Sequence, residues 1–126
     1  MNEKDYELFK EFIHSLLYEL TSIADYYTIM DDLGVPHKKD KFKTCCHNEE
    51  LNSDVGYNLS FNEDTRSFYC FSQCCRSYNL ITLLEQVFDI RGEHKTRFQV
   101  CKYICNTLNI PFDFKFDLYL SNSCST

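Results

Sequence analysis

The stretches TCCHNEE (44–50) and FYCFSQCC (68–75) decide how this chain folds. They carry five of its eight cysteines and one of its four histidines. Thiolate sulfur and imidazole nitrogen are the ligands that zinc takes in a tetrahedron. Short spacings let one turn present two of them, and a second turn from elsewhere in the chain closes the site. The first run offers Cys45, Cys46 and His47, and the second offers Cys70, Cys74 and Cys75. Adjacent residues of an extended chain point to opposite sides, so Cys45 pairs with His47 in preference to Cys46. Cys70 and Cys74 form a C-x3-C pair, with Cys70 and Cys75 one residue longer. The expected ligands are therefore Cys45, His47, Cys70 and Cys74, with Cys46 and Cys75 as the alternates. The metal is expected to be a single structural Zn2+ with a filled coordination shell.

What lies between the runs must bring them together. YNLSF (57–61) alternates apolar and polar residues, RSFYCF (66–71) is aromatic and strand-like, and NEDT (62–65) is a turn sequence. These predict a β-hairpin with Phe61 near Phe68 or its neighbour. The basic run HKKDKFKT (37–44) reads as a turn leading into a short strand. Helical periodicity flanks this region. Leu8, Phe9, Phe12, Ile13, Leu16, Leu17 and Leu20 predict a helix over about 4–20. Ser22 with Asp25 has the spacing of a capping box for a second helix, which Gly34 and Pro36 end. After Ser77, a stripe from Leu80 to Phe88 predicts a third helix, and Phe98, Cys101, Ile104, Cys105 and Leu108 predict a fourth. The tail FDFKFDLYLSNSCST (112–126) has room for one more strand. The expected class is α+β. A small zinc ribbon, about 41–76, lies between an extra N-terminal helix and C-terminal helices at about 78–108, all in one zinc-binding domain over 1–126.

Composition sets bounds on function. The 126 residues suffice for one modest core. The N-terminus lacks a secretory pattern, and no apolar run is long enough to cross a bilayer. The expected location is the cytoplasm, with no membrane partner. Thiols stay reduced there, so clustered cysteines favour a metal over disulfides. Cys101 and Cys105, four apart on a helix, read as small buried residues rather than a second metal pair, and Cys124 as a free thiol. The net charge of −6 argues against a strong non-specific nucleic-acid binder but permits a local basic face.

The run CCHNEELNSDVGYNLSFNEDTRSFYCFSQCCRSYNLITLLEQV (45–87) resembles the Cys-His-Cys-Cys zinc-binding domain of DnaG-type bacterial primases, in a divergent, phage- or mobile-element-like form. The likeness rests on His47-Asn48-Glu49, on Phe68-Tyr69-Cys70-Phe71, on Cys74, and on Ser77 and Asn79 before an apolar helix. It departs in three places: Thr44 replaces the first cysteine of C-x2-H, the second pair is C-x3-C, and Tyr57-Asn58-Leu59 replaces a Pro-Ser-Phe. The resemblance implies binding of single-stranded DNA template and help in primer initiation during DNA replication. It also implies a TOPRIM-type catalytic domain or replicative helicase as partner; the 126 residues leave no room for that domain, so the chain is expected to be either a fragment of a larger primase or a stand-alone relative that works on a partner. No catalytic residue is expected in this chain.

A zinc ribbon holds template by stacking aromatics on bases and neutralising phosphates with basic side chains. Lys41, Lys43, Arg66, Arg76 and Tyr69 are the residues expected to do so, with Tyr57 as the alternative stacking face. Two other classes compete. His47-x-Glu49 with a cysteine pair echoes zinc deaminases, but Gln73 rather than Pro precedes Cys74 and the segment reads as a hairpin. A zinc-stapled protein-interaction adaptor of a mobile-element or phage replication system fits the acidic balance, and salt-dependent binding to single-stranded DNA separates it from the primase-type reading.

Overall fold

Alternation along the predicted hairpin fixes the architecture. The structure is a computed structural model that describes residues 3–47 and 56–112. Here β3 (Leu59–Asn62) and β4 (Ser67–Cys70) pair antiparallel, with Phe61 opposite Phe68 and their rings 4.8 Å apart. Leu59, Phe61, Phe68 and Cys70 are buried on one face, while Ser60 and Tyr69 take the other. That is the period-two pattern of a sheet with one solvated face. Asn62 closes the turn by accepting from the backbone N–H groups of Asp64 and Thr65.

Three two-residue strands extend the hairpin: β1 (His37–Lys38), β2 (Lys41–Phe42) and β5 (Ser77–Tyr78). The five strands lie in sequence order, and every neighbouring pair is antiparallel. The basic run expected to give one short strand thus gives two, reversed at Lys39 with φ 56°. Neither it nor β5 is long enough to show periodicity in the sequence.

Four helices cover the inner face and the ends of the sheet: α1 (Glu3–Ser15), α2 (Ile23–Asp32), α3 (Leu80–Ile90) and α4 (Arg97–Leu108). Each of α2, α3 and α4 opens with a reciprocal capping box, at Ser22/Asp25, Asn79/Thr82 and Thr96/Gln99. Such a box satisfies two N–H groups that a helix start leaves unpaired. Gly34 and Gly92 follow the ends of α2 and α3 at φ 74° and 77°, where a Cβ is disfavoured. Tyr26 and Tyr27 of α2 pack on Phe42, Phe61 and Phe68, making an aromatic core beneath the sheet. Helix α3 packs on β4 and β5, and α4 packs on α2 and α3. Phe9 stacks on Phe98 at 4.0 Å, joining α1 to α4. The strand expected in the tail, and Cys124, fall outside the described residues.

The predicted helix over 4–20 changes character at its end, where Leu16–Leu20 forms a π-helical turn. Side-chain donors crowd the carbonyls there. Thr21 Oγ1 donates to Leu16 O at 2.6 Å and to Leu17 O at 3.3 Å, and Tyr26 OH donates to Leu17 O at 3.0 Å. Arg66 reaches across from the hairpin turn, donating to Thr21 O at 2.6 Å and Leu17 O at 3.4 Å. Groups inserted into a helical hydrogen-bond ladder widen it. Arg66→Ala, which leaves these carbonyls without a charged donor, should destabilise the fold by about 1–3 kcal/mol in urea unfolding. A change within about 0.5 kcal/mol, the range of neutral surface substitutions, would contradict a structural role for Arg66.

Candidate metal centre

The register of β3 and β4 carries Cys70 to the end of the sheet beside the chain that leaves β2. Thr44 fixes that chain. Its backbone N–H and its hydroxyl both donate to Gly56 O, and its hydroxyl accepts from Asn58 N–H. The backbone then bends at Cys46 and His47. Gln86 of α3 holds the bend by donating to Cys46 O at 3.0 Å.

Cys46, His47, Cys70 and Cys74 converge there, with one ligand atom from each lying within 4.8 Å of the others. Cys46 Sγ and Cys74 Sγ are 3.5 Å apart. His47 Nδ1 lies 3.2 Å from Cys74 Sγ, 3.5 Å from Cys46 Sγ and 3.9 Å from Cys70 Sγ. A tetrahedral ion with bonds of about 2.3 Å to sulfur and 2.05 Å to nitrogen spans edges of about 3.8 Å between sulfurs and 3.6 Å between sulfur and nitrogen. The cluster is therefore the size of one coordination sphere, and its donor set can hold one metal ion. Among the described residues, no other group of three or more His, Cys, Asp or Glu side chains comes this close.

The position expected of Cys45 is taken by Cys46. The expectation assumed an extended chain, in which neighbours face opposite ways. The chain is bent instead, so the adjacent Cys46 and His47 share a side. Cys45 turns into the packed interior, where burial pushes its thiol up to about 12 and the nearby Arg91 only partly opposes this. In the second run, Cys74 joins the cluster and Cys75 does not. Cys75 is exposed at φ 47°, and its thiol donates to Ser72 O at 2.9 Å. That left-handed residue turns the chain from the cluster into β5, and Cys70 N–H donates to Arg76 O across the base of the loop.

Electrostatics within the cluster favour a cation. Burial, and then hydrogen bonds to the Cys74 and Cys70 sulfurs, raise the Cys46 thiol. Burial acts the same way on Cys70, but hydrogen bonds from the backbone N–H groups of Ser72 and Cys74 and from the Cys46 and Cys74 side chains together hold that thiol below its ordinary value. Hydrogen bonds to the charged form favour it. Three thiols so close cannot all ionise without a compensating positive charge. Tyr78 of β5 lies beside the site, where burial first and then the neighbouring Cys74 raise its phenol. Such outer groups orient metal ligands.

Cys101 and Cys105 lie buried on α4, and burial pushes them up to about 12 and about 11. Both are neutral thiols in the core. Glu49 of the His-x-Glu motif is outside the described residues.

The solvent face of the sheet gathers some of the expected contact residues. Lys38, Lys41, Ser60, Tyr69 and Ser77 are in register across all five strands. Phe71, two residues beyond Tyr69, is 65% exposed and packs against it at 4.6 Å. Lys41 sits over the Phe71 ring at 5.7 Å, and Lys38 and Lys43 sit over the Tyr57 ring at 4.7 and 5.3 Å. Lys41, Lys43 and Tyr69 thus come together. Arg66 does not, because its guanidinium is committed to the Thr21 and Leu17 carbonyls. Arg76 lies beside β5, over the Tyr78 ring at 4.9 Å. Lys38 and Phe71 were missed in the sequence, whereas Tyr57 was a candidate stacking face there. The parity that puts Phe71 on the side of Tyr69 was readable there.

No family model, curated protein or solved structure matches this chain. None of its helices is long and apolar enough to cross a membrane, among the described residues.

Metal binding to protonated thiols must expel protons. Calorimetric titration of Zn2+ into the metal-free chain near neutral pH, in buffers of different ionisation enthalpy, should show about two to three protons released per ion, since thiols ordinarily titrate above neutrality. A heat independent of the buffer would contradict thiolate ligation.

Proposed function

We propose that this chain is a zinc-stapled, primase-type module whose sheet binds single-stranded DNA template. The observation that carries this reading is the Cys46–His47–Cys70–Cys74 cluster. Three sulfurs and one nitrogen at tetrahedral edge lengths suit a closed structural Zn2+ site better than a site with an open position. Zinc there supplies structure, by tying the chain after β2 to the end of β4. The chain's own residues then do the binding.

The solvent face suits an unpaired strand. Phe71 and Tyr69 offer aromatic surfaces to bases, and every base has a face to stack. Lys38, Lys41 and Lys43 supply positive charge along the same face of a chain whose net charge is −6. This local concentration, rather than the overall balance, would attract phosphate. The module would position template for a separate catalytic partner, a TOPRIM-type domain or a replicative helicase, as the resemblance to primase zinc domains implies.

A second reading has one observation in its favour. Tyr6, Leu8, Tyr18 and Leu20, on α1 and the turn that ends it, are 54, 41, 50 and 44% exposed. An adaptor would use such side chains against a protein.

Salt dependence discriminates the two. Oligothymidylate binding to the zinc-loaded chain should weaken with salt, and Lys38→Ala/Lys41→Ala/Lys43→Ala should flatten the log–log slope by about 2, at about 0.7 per phosphate. Phe71→Ala should cost about 1–3 kcal/mol of binding with the metal retained. Absence of salt-sensitive binding would leave the adaptor reading.

A further inference from the structure

A groove of about 310 Å3 runs beside the metal centre, between β5, one face of α3 and the segment entering α4. Its floor is Thr82, Glu85, Gln86 and Asp89, a helical stripe about 10 Å long at 1.5 Å per residue. It begins at the cluster. Tyr78, in its wall, neighbours Cys74, and Gln86 is the residue bonded to Cys46 O.

The charges in this groove are sorted. Both carboxylates are engaged: Glu85 by Arg97 at 3.1 Å and Asp89 by His94 at 3.0 Å. Arg76 and Lys95, by contrast, have no carboxylate partner among the described residues. Each rests over a ring instead, Arg76 over Tyr78 at 4.9 Å and Lys95 over Phe88 at 5.0 Å. A cation parked on an aromatic face keeps its hydrogen-bond donors available. Among the described residues the groove therefore offers two cations with no carboxylate partner, Arg76 and Lys95, while its carboxylates bond to Arg97 and His94, which suits a phosphodiester chain.

Its position suits the same ligand. The in-register row from Lys38 to Tyr69 ends at Ser77, the neighbour of Arg76. With strands about 4.8 Å apart, that row is about 19 Å long. We infer that a single DNA strand crosses the sheet along this row, turns over β5 at Arg76, and seats its next phosphates in the groove between Arg76 and Lys95. This inference rests on the template-binding reading above and adds a second contact zone with a direction of travel across the sheet.

The test compares oligothymidylates of about 4 and about 12 nucleotides, which bracket single-strand site sizes. The probe protein is the full zinc-loaded chain, alone and as Arg76→Ala/Lys95→Ala. The unaltered chain should prefer the longer strand, and the double variant should lose about tenfold in that preference. Its salt slope on the longer strand should fall by about 1.4, the value for two phosphates. The charge-keeping pair Arg76→Lys/Lys95→Arg should restore both, and zinc content should be equal in all three proteins. An unchanged length preference and slope would overturn the groove while leaving the sheet face intact. Failure of the unaltered chain to bind either length would overturn the template reading and the groove with it.

Discussion

The register of β3 against β4 is the constraint on which the rest of this structure depends. With Phe61 opposite Phe68, Leu59 and Cys70 fall on the inner face and Ser60 and Tyr69 on the outer. A slip of one residue would exchange every side chain between faces. Cys70 would leave the metal cluster, and Tyr69 would leave the solvent face. The aromatic core makes that slip costly, because Tyr26 and Tyr27 of α2 already fill the space under Phe42, Phe61 and Phe68. Core packing, the Cys-His cluster and the solvent-face row are thus three consequences of one pairing.

A metal held by the Cys-His cluster would add a constraint that packing cannot supply. The inner face delivers Cys70, but His47 and Cys46 arrive from a bend anchored by Thr44 and Gln86, and Cys74 arrives from a loop turned by Cys75. These segments lie far apart in sequence and have little regular structure of their own. A four-ligand ion would join them at one point, and its binding energy would act as folding energy. The backbone N–H groups aimed at Cys70 stabilise the charge that such an ion requires.

Much of this was legible in the sequence. The hairpin, the four helices, the capping box at Ser22 and the glycine stops follow from local rules, because each is decided within a few residues. The metal cluster was legible in composition and in three of its four members, His47, Cys70 and Cys74. Cys46 was not, since choosing between adjacent cysteines requires knowing whether the backbone is extended or bent. That is settled by Gly56 and Gln86, far along the chain. The same limit applies to Arg66. Its turn position suggested a surface cation, and only the tertiary fold brings two helix-end carbonyls within its reach. The two-residue strands β1, β2 and β5 carry no period of their own and exist because β3 and β4 offer them edges.

The measurement that tests the central claim most directly is native mass spectrometry of the full chain purified without added metal, repeated on single serine variants of Cys45, Cys46, Cys74 and Cys75. The account predicts one zinc per chain, lost or sharply weakened in Cys46→Ser and Cys74→Ser and kept in Cys45→Ser and Cys75→Ser. Zinc kept by Cys46→Ser and lost by Cys45→Ser, or a chain that carries no metal, would contradict it.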